Sequence, residues 1–328
     1  MTEEAASIPA GRFERILVTG GSGFVGRHLL EGLAHAYPDA QRMSLARAGE
    51  APAPGWIPKA FDLLDPATVE ATIGETRPDL VVHLAAQSSA AKSFVAAEET
   101  WRVNFIGSFN LAAALARHAA EAVVIFPSTA DVYGSSLRDG AAHEEMVPRP
   151  LNAYARSKLA AESMLADVLP QTARLVVARP FSHIGPGQDK RFAVASFAAQ
   201  IVEIENGRAE PRLLVGDLSV QRDFSDVRDV IDAYLRLIAI APDLPARNVF
   251  DIASGETRSL ASVVERMRAL ARRDFEIVVD PERLRPADIP FARCAAAELR
   301  AATGWRPQRT IDETLVALLD YWRAEAAK

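Results

Sequence analysis

The sequence has little cysteine and no long apolar run, and both shortages narrow the possible functions. Among 328 residues there is one cysteine, Cys294, so the chain by itself forms neither a disulfide nor a cysteine-rich metal site. We predict that Cys294 fills a small space in the core rather than acting as a nucleophile, and we predict no metal site. No segment approaches the ~20 consecutive apolar residues of a membrane span.

An excess of positive charge is also missing. The formal net charge is −6, which argues against a nucleic-acid partner but leaves room for a local basic pocket. Residues 1–12 contain Glu3 and Glu4 and no apolar stretch, so they do not resemble a signal peptide. We therefore predict a flexible tail over 1–12 and a cytoplasmic protein that does not enter a membrane.

What the sequence does contain is an alternation of apolar strands and helices. The predicted strands lie at 15–19, 43–46, 60–63, 80–84, 122–126 and 175–178. Their nearly continuous apolar character is typical of parallel strands covered on both faces. This predicts a doubly wound α/β sheet of the Rossmann type over 13–180, with returns near 219–252. Residues 181–328 are predicted to form a smaller α/β lobe, interleaved with the first, that binds substrate.

Residues 19–26 read Thr-Gly-Gly-Ser-Gly-Phe-Val-Gly, between a predicted strand and a predicted helix. Glycines at this position permit a tight turn, let backbone N–H groups approach a pyrophosphate and let the helix pack on the strand. The alternative is a simple turn without a ligand. The context favours a dinucleotide site, and the predicted cofactor contacts in this segment are Gly20, Gly23, Phe24 and Val25.

The end of the second predicted strand bears on the choice of cofactor. An acidic residue there favours NAD, but residues 44–47 contain none. Arg47 could pair with a 2′-phosphate, so NADP(H) is favoured over NAD(H); the alternative is a solvated loop arginine. Asp62 and Leu63 are predicted to hold the adenine, although a surface aspartate at a strand end would look the same.

Tyr154 and Lys158 are one helical turn apart and form the predicted catalytic pair. A nearby ammonium and the positive nicotinamide ring favour the phenolate, so we expect a lowered pKa for the Tyr154 phenol and a role as acid or base. Thr129, with Ser128 as the second choice, closes an apolar strand and is predicted to hydrogen-bond the reacting oxygen. Asp131 could act as an acid or base or orient substrate hydroxyls, or could simply be a turn residue.

Two histidines receive different predictions. His83 lies within a predicted buried strand, and we interpret it as a core histidine with satisfied hydrogen bonds. His183 follows the strand that leads into the cleft and is a candidate cofactor or substrate contact.

Together these motifs resemble those of the extended short-chain dehydrogenases/reductases that act on nucleotide sugars. The supporting segments are 19–26, 83–87, Asn104 with Gly107, 128–129, Tyr154 with Lys158, and 179–181. The resemblance implies further cofactor contacts at Leu84, Ala85, Ala86, Asn104, Phe181 and His183. It also implies a homodimer built from helices near 104–118 and 153–165, although their alanine stripes could equally pack within one chain.

Sequence segments in the second lobe make this resemblance more specific. Segments 181–188, 200–205, 215–218, 222–229 and 283–286 are similar to those of the GDP-4-keto-6-deoxy-D-mannose reductases, whose nearest relatives are the GDP-mannose 4,6-dehydratases. A GDP-linked sugar is the implied substrate, with Arg222 and Arg285 clamping its diphosphate. Asp217 and Leu218 would lie near the base. The other implied substrate contacts are Ser88, Thr129 and Ser182.

Two departures from the family pattern bear on the reaction. Ser182 stands where the reductases usually have Asn, and Asp131 stands where the family usually has Glu. A dehydratase needs that acid at sugar carbon 5, whereas a reductase needs only a hydride and a tyrosine proton. The preferred hypothesis is therefore an NADPH-dependent reductase yielding GDP-D-rhamnose or GDP-6-deoxy-D-talose. The alternatives are a 4,6-dehydratase or epimerase that recycles its cofactor, and a dinucleotide sensor without catalysis.

Overall fold

The structure is a computed structural model that describes residues 13–46, 53–60, 62–138, 140–284, 289 and 291–328. The predicted tail over 1–12 and two predicted contacts, Arg47 and Arg285, lie outside the described residues.

Within the described residues the chain alternates between strands and helices. The strands are β1 (Arg15–Thr19), β2 (Gln41–Ala46), β3 (Ile57–Ala60), β4 (Leu80–His83), β5 (Val123–Pro127), β6 (Arg174–Pro180), β7 (Ser182–Ile184), β8 (Arg212–Val215), β9 (Gln221–Asp226), β10 (Arg247–Ile252), β11 (Thr257–Ser259) and β12 (Glu276–Val279). The α-helices are α1 (Phe24–Ala36), α2 (Pro66–Thr76), α3 (Ala90–Val95), α4 (Ala97–Trp101), α5 (Gly107–His118), α6 (Ala153–Val168), α7 (Ala193–Glu205), α8 (Val227–Ile240), α9 (Leu260–Leu270), α10 (Ala297–Thr303) and α11 (Ile311–Ala326).

The main sheet has the order β10-β6-β5-β4-β1-β2-β3 in the part of the chain that the structure describes. All of its neighbouring strands run parallel. Successive residues of one strand enter separate hydrophobic clusters, Ile16 and Val18 on one face and Leu17 on the other. Both faces are therefore covered, and the predicted doubly wound Rossmann sheet is confirmed.

The third strand was expected at 60–63 and instead spans Ile57–Ala60. Pro58 lies inside it, and proline is tolerated there because β3 is at the edge of the sheet. Asp62 and Leu63 follow the strand rather than end it, and the Asp62 carboxylate accepts a hydrogen bond from the Leu64 N–H at 2.9 Å. The prediction treated Pro58 as a loop signal, which misplaced the strand.

The second lobe is built around a third hydrophobic cluster formed mainly by α7, α9 and α11. Two small sheets flank it, with the orders β11-β9-β7 and β12-β8 among the described residues. The chain then returns to the first lobe, because α8 packs on α1 and β10 pairs with β6. The two lobes consequently share one continuous, interleaved chain.

Candidate active site

The loops at the carboxyl ends of four parallel strands meet at one edge of the main sheet. Gly20 follows β1, residues 84–86 follow β4, residues 128–129 follow β5, and Phe181 follows β6. Backbone bonds tie these loops together, including Leu84 N–H to Thr19 O at 3.1 Å and Ser128 N–H to Ala178 O at 2.7 Å. This edge is where open parallel sheets bind their ligands.

The glycine turn forms a cradle that larger residues would fill. Gly20 has a left-handed φ of 72°, and an added Cβ would lie 2.8 Å from Ala85 N. An added Cβ on Gly26 would lie 2.3 Å from Gly20 O. Gly23 is the N-cap of α1, and among the described residues no side chain caps this helix and no acid lies in its first turn. The start of α1, with Phe24 and the partly buried Val25, thus offers backbone N–H groups to an anion and fits a dinucleotide pyrophosphate.

Asp62 and Leu63, the residues predicted to hold the adenine, follow β3. Leu63 is buried, and its side chain lies against Gly107, where an added Cβ would be 3.0 Å from Leu63 Cβ. The Leu63 carbonyl accepts a hydrogen bond from Asn110 Nδ2 at 2.8 Å. Asp62 is exposed and bonds its own turn.

Tyr154 and Lys158 lie in the first half of α6 and face the end of β5. Asn152 caps the helix by accepting the Ala155 N–H at 2.8 Å, which fixes where the helix begins. The Tyr154 phenol hydrogen-bonds the Thr129 side chain. Lys158 Nζ donates to Pro127 O at 2.7 Å. The structure therefore brings Thr129, Tyr154 and Lys158 together.

Burial dominates the electrostatics of this group. Burial, first, and then the Asp131 carboxylate raise the pKa of Tyr154, and the bond from Thr129 only partly opposes them. The lowering by Lys158 together with the nicotinamide ring stays a prediction for the cofactor complex. Burial also lowers the pKa of Lys158 to about 8, although Glu162 opposes this change. A protonated phenol is therefore the favoured form at neutral pH.

Asn104 is buried and holds the loop after β4. Its Oδ1 accepts the Gln87 N–H at 2.8 Å, and its Nδ2 donates to Gln87 O at 3.1 Å and to Ser157 Oγ at 3.0 Å. Asn104 lies within a π-helical turn, Arg102–Ile106, between α4 and α5. Such turns occur often at functional sites. Here the turn links the loop with Ala85 and Ala86 to helix α6.

His83 is buried, as predicted for a core histidine. Its Nδ1 pairs with Thr19 Oγ1 at 2.7 Å and its Nε2 with Ser108 Oγ at 2.9 Å. Burial and, to a smaller extent, Lys158 lower its pKa to about 3. His83 therefore stays neutral and serves packing.

An aromatic contact joins the second lobe to the start of α1. The His183 ring stacks on Phe24 with centroids 6.0 Å apart, and His28 Nε2 lies 2.9 Å from Pro186 O. Phe181, on the same segment, is buried and its N–H donates to Ile252 O at 2.8 Å. His183 and Phe181 thus lie beside the glycine cradle.

The predicted substrate contacts come from both lobes. Ser88 is exposed after β4, and Ser182 lies on β7. Asp217 is exposed and accepts the Ser219 N–H at 2.8 Å, with Leu218 partly buried beside it. Arg222 lies on β9, and its Nη1 donates to Ile289 O at 2.6 Å.

Sequence reasoning missed one set of side chains at this site. Ser128 Oγ donates to Glu162, and Arg179 donates to both oxygens of the same carboxylate. A signal was present, because Glu162 follows Lys158 by four residues and so lies on the same face of α6.

The described residues also show two absences. Among them no group of three or more His, Cys, Asp or Glu side chains could hold a metal ion. No helix in the described part of the chain is long and apolar enough to cross a membrane.

A dinucleotide cradle beside a Tyr/Lys pair on a Rossmann sheet defines an extended short-chain dehydrogenase/reductase. The NAD dependent epimerase/dehydratase family profile matches residues 16–253, and the chain belongs to this family. Over 313 residues the chain is 38% identical to the GDP-6-deoxy-D-mannose reductase of Pseudomonas aeruginosa, covering 95% of this chain and 98% of that protein.

Two further relatives share most of the chain. The GDP-6-deoxy-D-talose 4-dehydrogenase of Aggregatibacter actinomycetemcomitans is 28% identical over 280 residues, or 84% of this chain and 86% of that protein. The structure of RMD from Pseudomonas aeruginosa in complex with NADPH superposes with a TM-score of 0.78 and 36% identity, covering 95% of this chain and 99% of the other.

Proposed function

We propose that this protein is an NADPH-dependent reductase that converts a GDP-linked 4-keto-6-deoxyhexose at carbon 4 to a GDP-6-deoxyhexose. One observation carries the proposal: the chain is 38% identical, over nearly the full length of both proteins, to a GDP-6-deoxy-D-mannose reductase. The product is GDP-D-rhamnose or its 4-epimer GDP-6-deoxy-D-talose, depending on the face of the sugar that meets the cofactor.

The residues at the carboxyl edge of the sheet have the properties that this reaction needs. Bound NADPH supplies the hydride. Tyr154 protonates the oxygen on carbon 4, since a tyrosine phenol carries its proton at neutral pH and Lys158 lies one helical turn away. Thr129 hydrogen-bonds the same oxygen, and Lys158 holds the nicotinamide ribose and orients Tyr154.

Asp131 bears on the choice between reduction and dehydration. It stands where the family usually has glutamate, and is one methylene shorter. A 4,6-dehydratase needs this carboxyl group at carbon 5, whereas a reductase needs only a hydride and a tyrosine proton. Asp131 is therefore the residue that distinguishes the two reactions.

The cofactor and substrate assignments complete the proposal. The glycine cradle and the loops after β4 and β6 would hold the cofactor, with Asp62 and Leu63 proposed for its adenine and Arg47 for its 2′-phosphate. The proposed substrate contacts are Ser88, Ser182, Asp217, Leu218, Arg222 and Arg285. Arg222 supports this placement because it lies on β9, whose later residues Phe224 to Asp226 pair with β7, the strand that follows Phe181. Residues 181–328 are thus proposed as the substrate-binding lobe.

A homodimer and a cytoplasmic location belong to the same proposal, and the homodimer follows the resemblance to nucleotide-sugar enzymes. The buried alanines Ala112 and Ala161 pack within the chain, so their stripes do not carry the dimer. Large apolar side chains on α3 to α5 are exposed instead, including Phe94, Trp101 and Phe109. This face supports a second copy as the partner.

Cofactor stoichiometry tests the reaction. Purified protein is mixed with the GDP-4-keto-6-deoxy sugar and NADPH, and in parallel with GDP-mannose and a trace of NADP, while the reduced-nicotinamide absorbance and the sugar products are followed. The proposal expects one NADPH consumed for each deoxy sugar formed. Conversion of GDP-mannose to a keto sugar without net cofactor change would establish the dehydratase instead. A protein that binds NADPH but turns over neither sugar would be a sensor.

A further inference from the structure

The middle of α6 carries a buried carboxylate directly behind the proposed catalytic pair. Glu162 lies one helical turn after Lys158, and both side chains are buried. Lys158 Nζ donates to Pro127 O, and Ser128 Oγ donates to Glu162. Two consecutive residues at the end of β5 are therefore tied to the same helix face, immediately before Thr129.

Arg179 from β6 completes this arrangement. Its Nε lies 3.2 Å from Glu162 Oε1 and its Nη2 lies 2.6 Å from Oε2, with both side chains 7% exposed. Arg179 Nη1 also donates to the Tyr133 hydroxyl, which donates to the Asp251 carboxylate. Burying such an ion pair gains little stability compared with apolar residues of similar size. Its position beside Lys158 and Thr129 points to a role in the site.

We propose that Glu162, held in place by Arg179, is a positioning residue for the reduction. It accepts a hydrogen bond from the Ser128 hydroxyl, so that Thr129 alone is presented to the reacting oxygen. It also places a negative charge one helical turn from the Lys158 ammonium. This inference rests on the proposed function, because it assigns Thr129 and Lys158 their roles in that reaction. Glu162 acts through these neighbours and does not itself touch the substrate.

The charges around Lys158 give this role a measurable consequence. The titratable and charged groups that face the pair Lys158–Glu162 are Tyr154 on α6, His83 on β4 and Arg179 on β6. His83 is neutral, as described above, so Glu162 is the negative charge that opposes the lowering of the Lys158 pKa. Removing that charge lowers the Lys158 pKa further. The ammonium is then lost at a lower pH.

The main variant is Glu162→Gln, which keeps the shape and removes the charge. It is expected to lower kcat by about tenfold to a hundredfold, since a small displacement of reacting groups is enough. The alkaline limb of the pH profile of kcat/KM is expected to move down by about one pH unit. NADPH binding, measured by fluorescence across the same pH range, is expected to weaken as the pH rises, and this weakening is expected to begin at a lower pH than in the wild type.

Two further variants separate charge from contact. Glu162→Asp keeps the charge but shortens the reach to Ser128, so the alkaline limb should return toward the wild-type position while kcat stays reduced. The double variant Glu162→Leu with Arg179→Leu removes both partners of the ion pair. It carries the test if Glu162→Gln does not fold, and it should show a smaller downward shift, because the Arg179 cation is removed together with the carboxylate.

The matched control is Glu205→Gln in the second lobe. Glu205 is also buried and accepts two bonds from one arginine, Arg323, at 2.9 and 2.8 Å. Its loss is expected to lower the thermal midpoint while leaving kcat, the pH profile and NADPH binding unchanged.

The inference is overturned if folded Glu162 variants keep the wild-type kcat and alkaline limb, or if they lose activity only in proportion to their thermal midpoints. Failure of the proposed function looks different, because wild-type protein would then not reduce the keto sugar at all. The pH dependence of NADPH binding by Glu162→Gln would still decide the inference in that case.

Discussion

Replacing Gly26 with alanine is expected to weaken NADPH binding through a displacement of helix α1. The added Cβ would lie 2.3 Å from Gly20 O and 2.6 Å from Gly21 O, whereas ordinary contact begins at 3.4 Å. The helix must therefore move away from the turn by about 1 Å, because backbone atoms, unlike a flexible side chain, cannot rotate aside. That movement misaligns the N–H groups at the start of α1 with the pyrophosphate.

The size of the expected loss in NADPH affinity follows from the number of hydrogen bonds to the pyrophosphate that are lost. Losing one charge-assisted bond to a phosphate oxygen costs about 1.5–3 kcal/mol. This corresponds to a dissociation constant for NADPH that is weaker by about tenfold to a hundredfold. Titration of the protein with NADPH, followed by nicotinamide fluorescence, measures the change. Thermal unfolding without NADPH measures the accompanying loss of stability, about 1–3 kcal/mol for overpacking.

Gly304→Ala is the matched control. Gly304 has a φ of 67° at the end of α10, and no described atom lies within 4 Å of an added Cβ. Only backbone strain changes there, at a cost of about 1–2 kcal/mol, so stability falls while NADPH affinity stays at the wild-type value. A Gly26→Ala protein that bound NADPH as tightly as wild type would refute the claim that this glycine turn binds the pyrophosphate.

Four other perturbations test separate parts of the account. Tyr154→Phe is expected to lower kcat by about 10²–10⁴-fold without changing the NADPH dissociation constant; full turnover would exclude Tyr154 as the proton donor. Asp131→Asn is expected to keep reduction within about tenfold, because a reductase needs no base at carbon 5, and a larger loss in a kinetic assay would show that reduction itself depends on Asp131. Trp101→Glu places a charge on the exposed aromatic face and should halve the mass seen by light scattering; a wild-type mass of one chain would contradict the homodimer. Asp251 has a pKa raised from 3.8 to about 7, chiefly by burial. The folded state then binds more protons than the unfolded state, so this carboxyl contributes stability below pH 4 that is lost as the pH rises toward 7. Asp251→Asn should remove that slope from urea-unfolding curves, and an unaltered slope would contradict it.

The sequence predicted those parts of the molecule that depend on local spacing. The glycine turn before α1 and the pair Tyr154 and Lys158 are each contained in a few consecutive residues, and the strand–turn–helix context is visible in the hydrophobic pattern. The parallel sheet followed because its strands are apolar on both faces. The burial of His83 followed for the same reason.

Features that depend on contacts between distant segments were not predictable in the same way. The Glu162–Arg179 pair joins α6 to β6, and the pattern of either segment alone gives no sign of its partner. The burial that raises the pKa of Tyr154 was not predictable either, because it depends on the whole surrounding structure and not on the spacing to Lys158. The π-helical turn at Arg102–Ile106 was also missed, because an i→i+5 bond has no clear signature in hydrophobic periodicity.

The path of the chain through both lobes has a consequence for synthesis. Strand β6 ends at Pro180, but its outer neighbour β10 begins only at Arg247, after β7, α7, β8, β9 and α8 have been made. When the ribosome has synthesised the first six strands, β6 therefore still has an unpaired apolar edge. Such an edge is prone to pair with other nascent chains. A gene fragment ending at Pro180 should accumulate as aggregate, whereas one that extends past Ile252 supplies the strand that closes this edge.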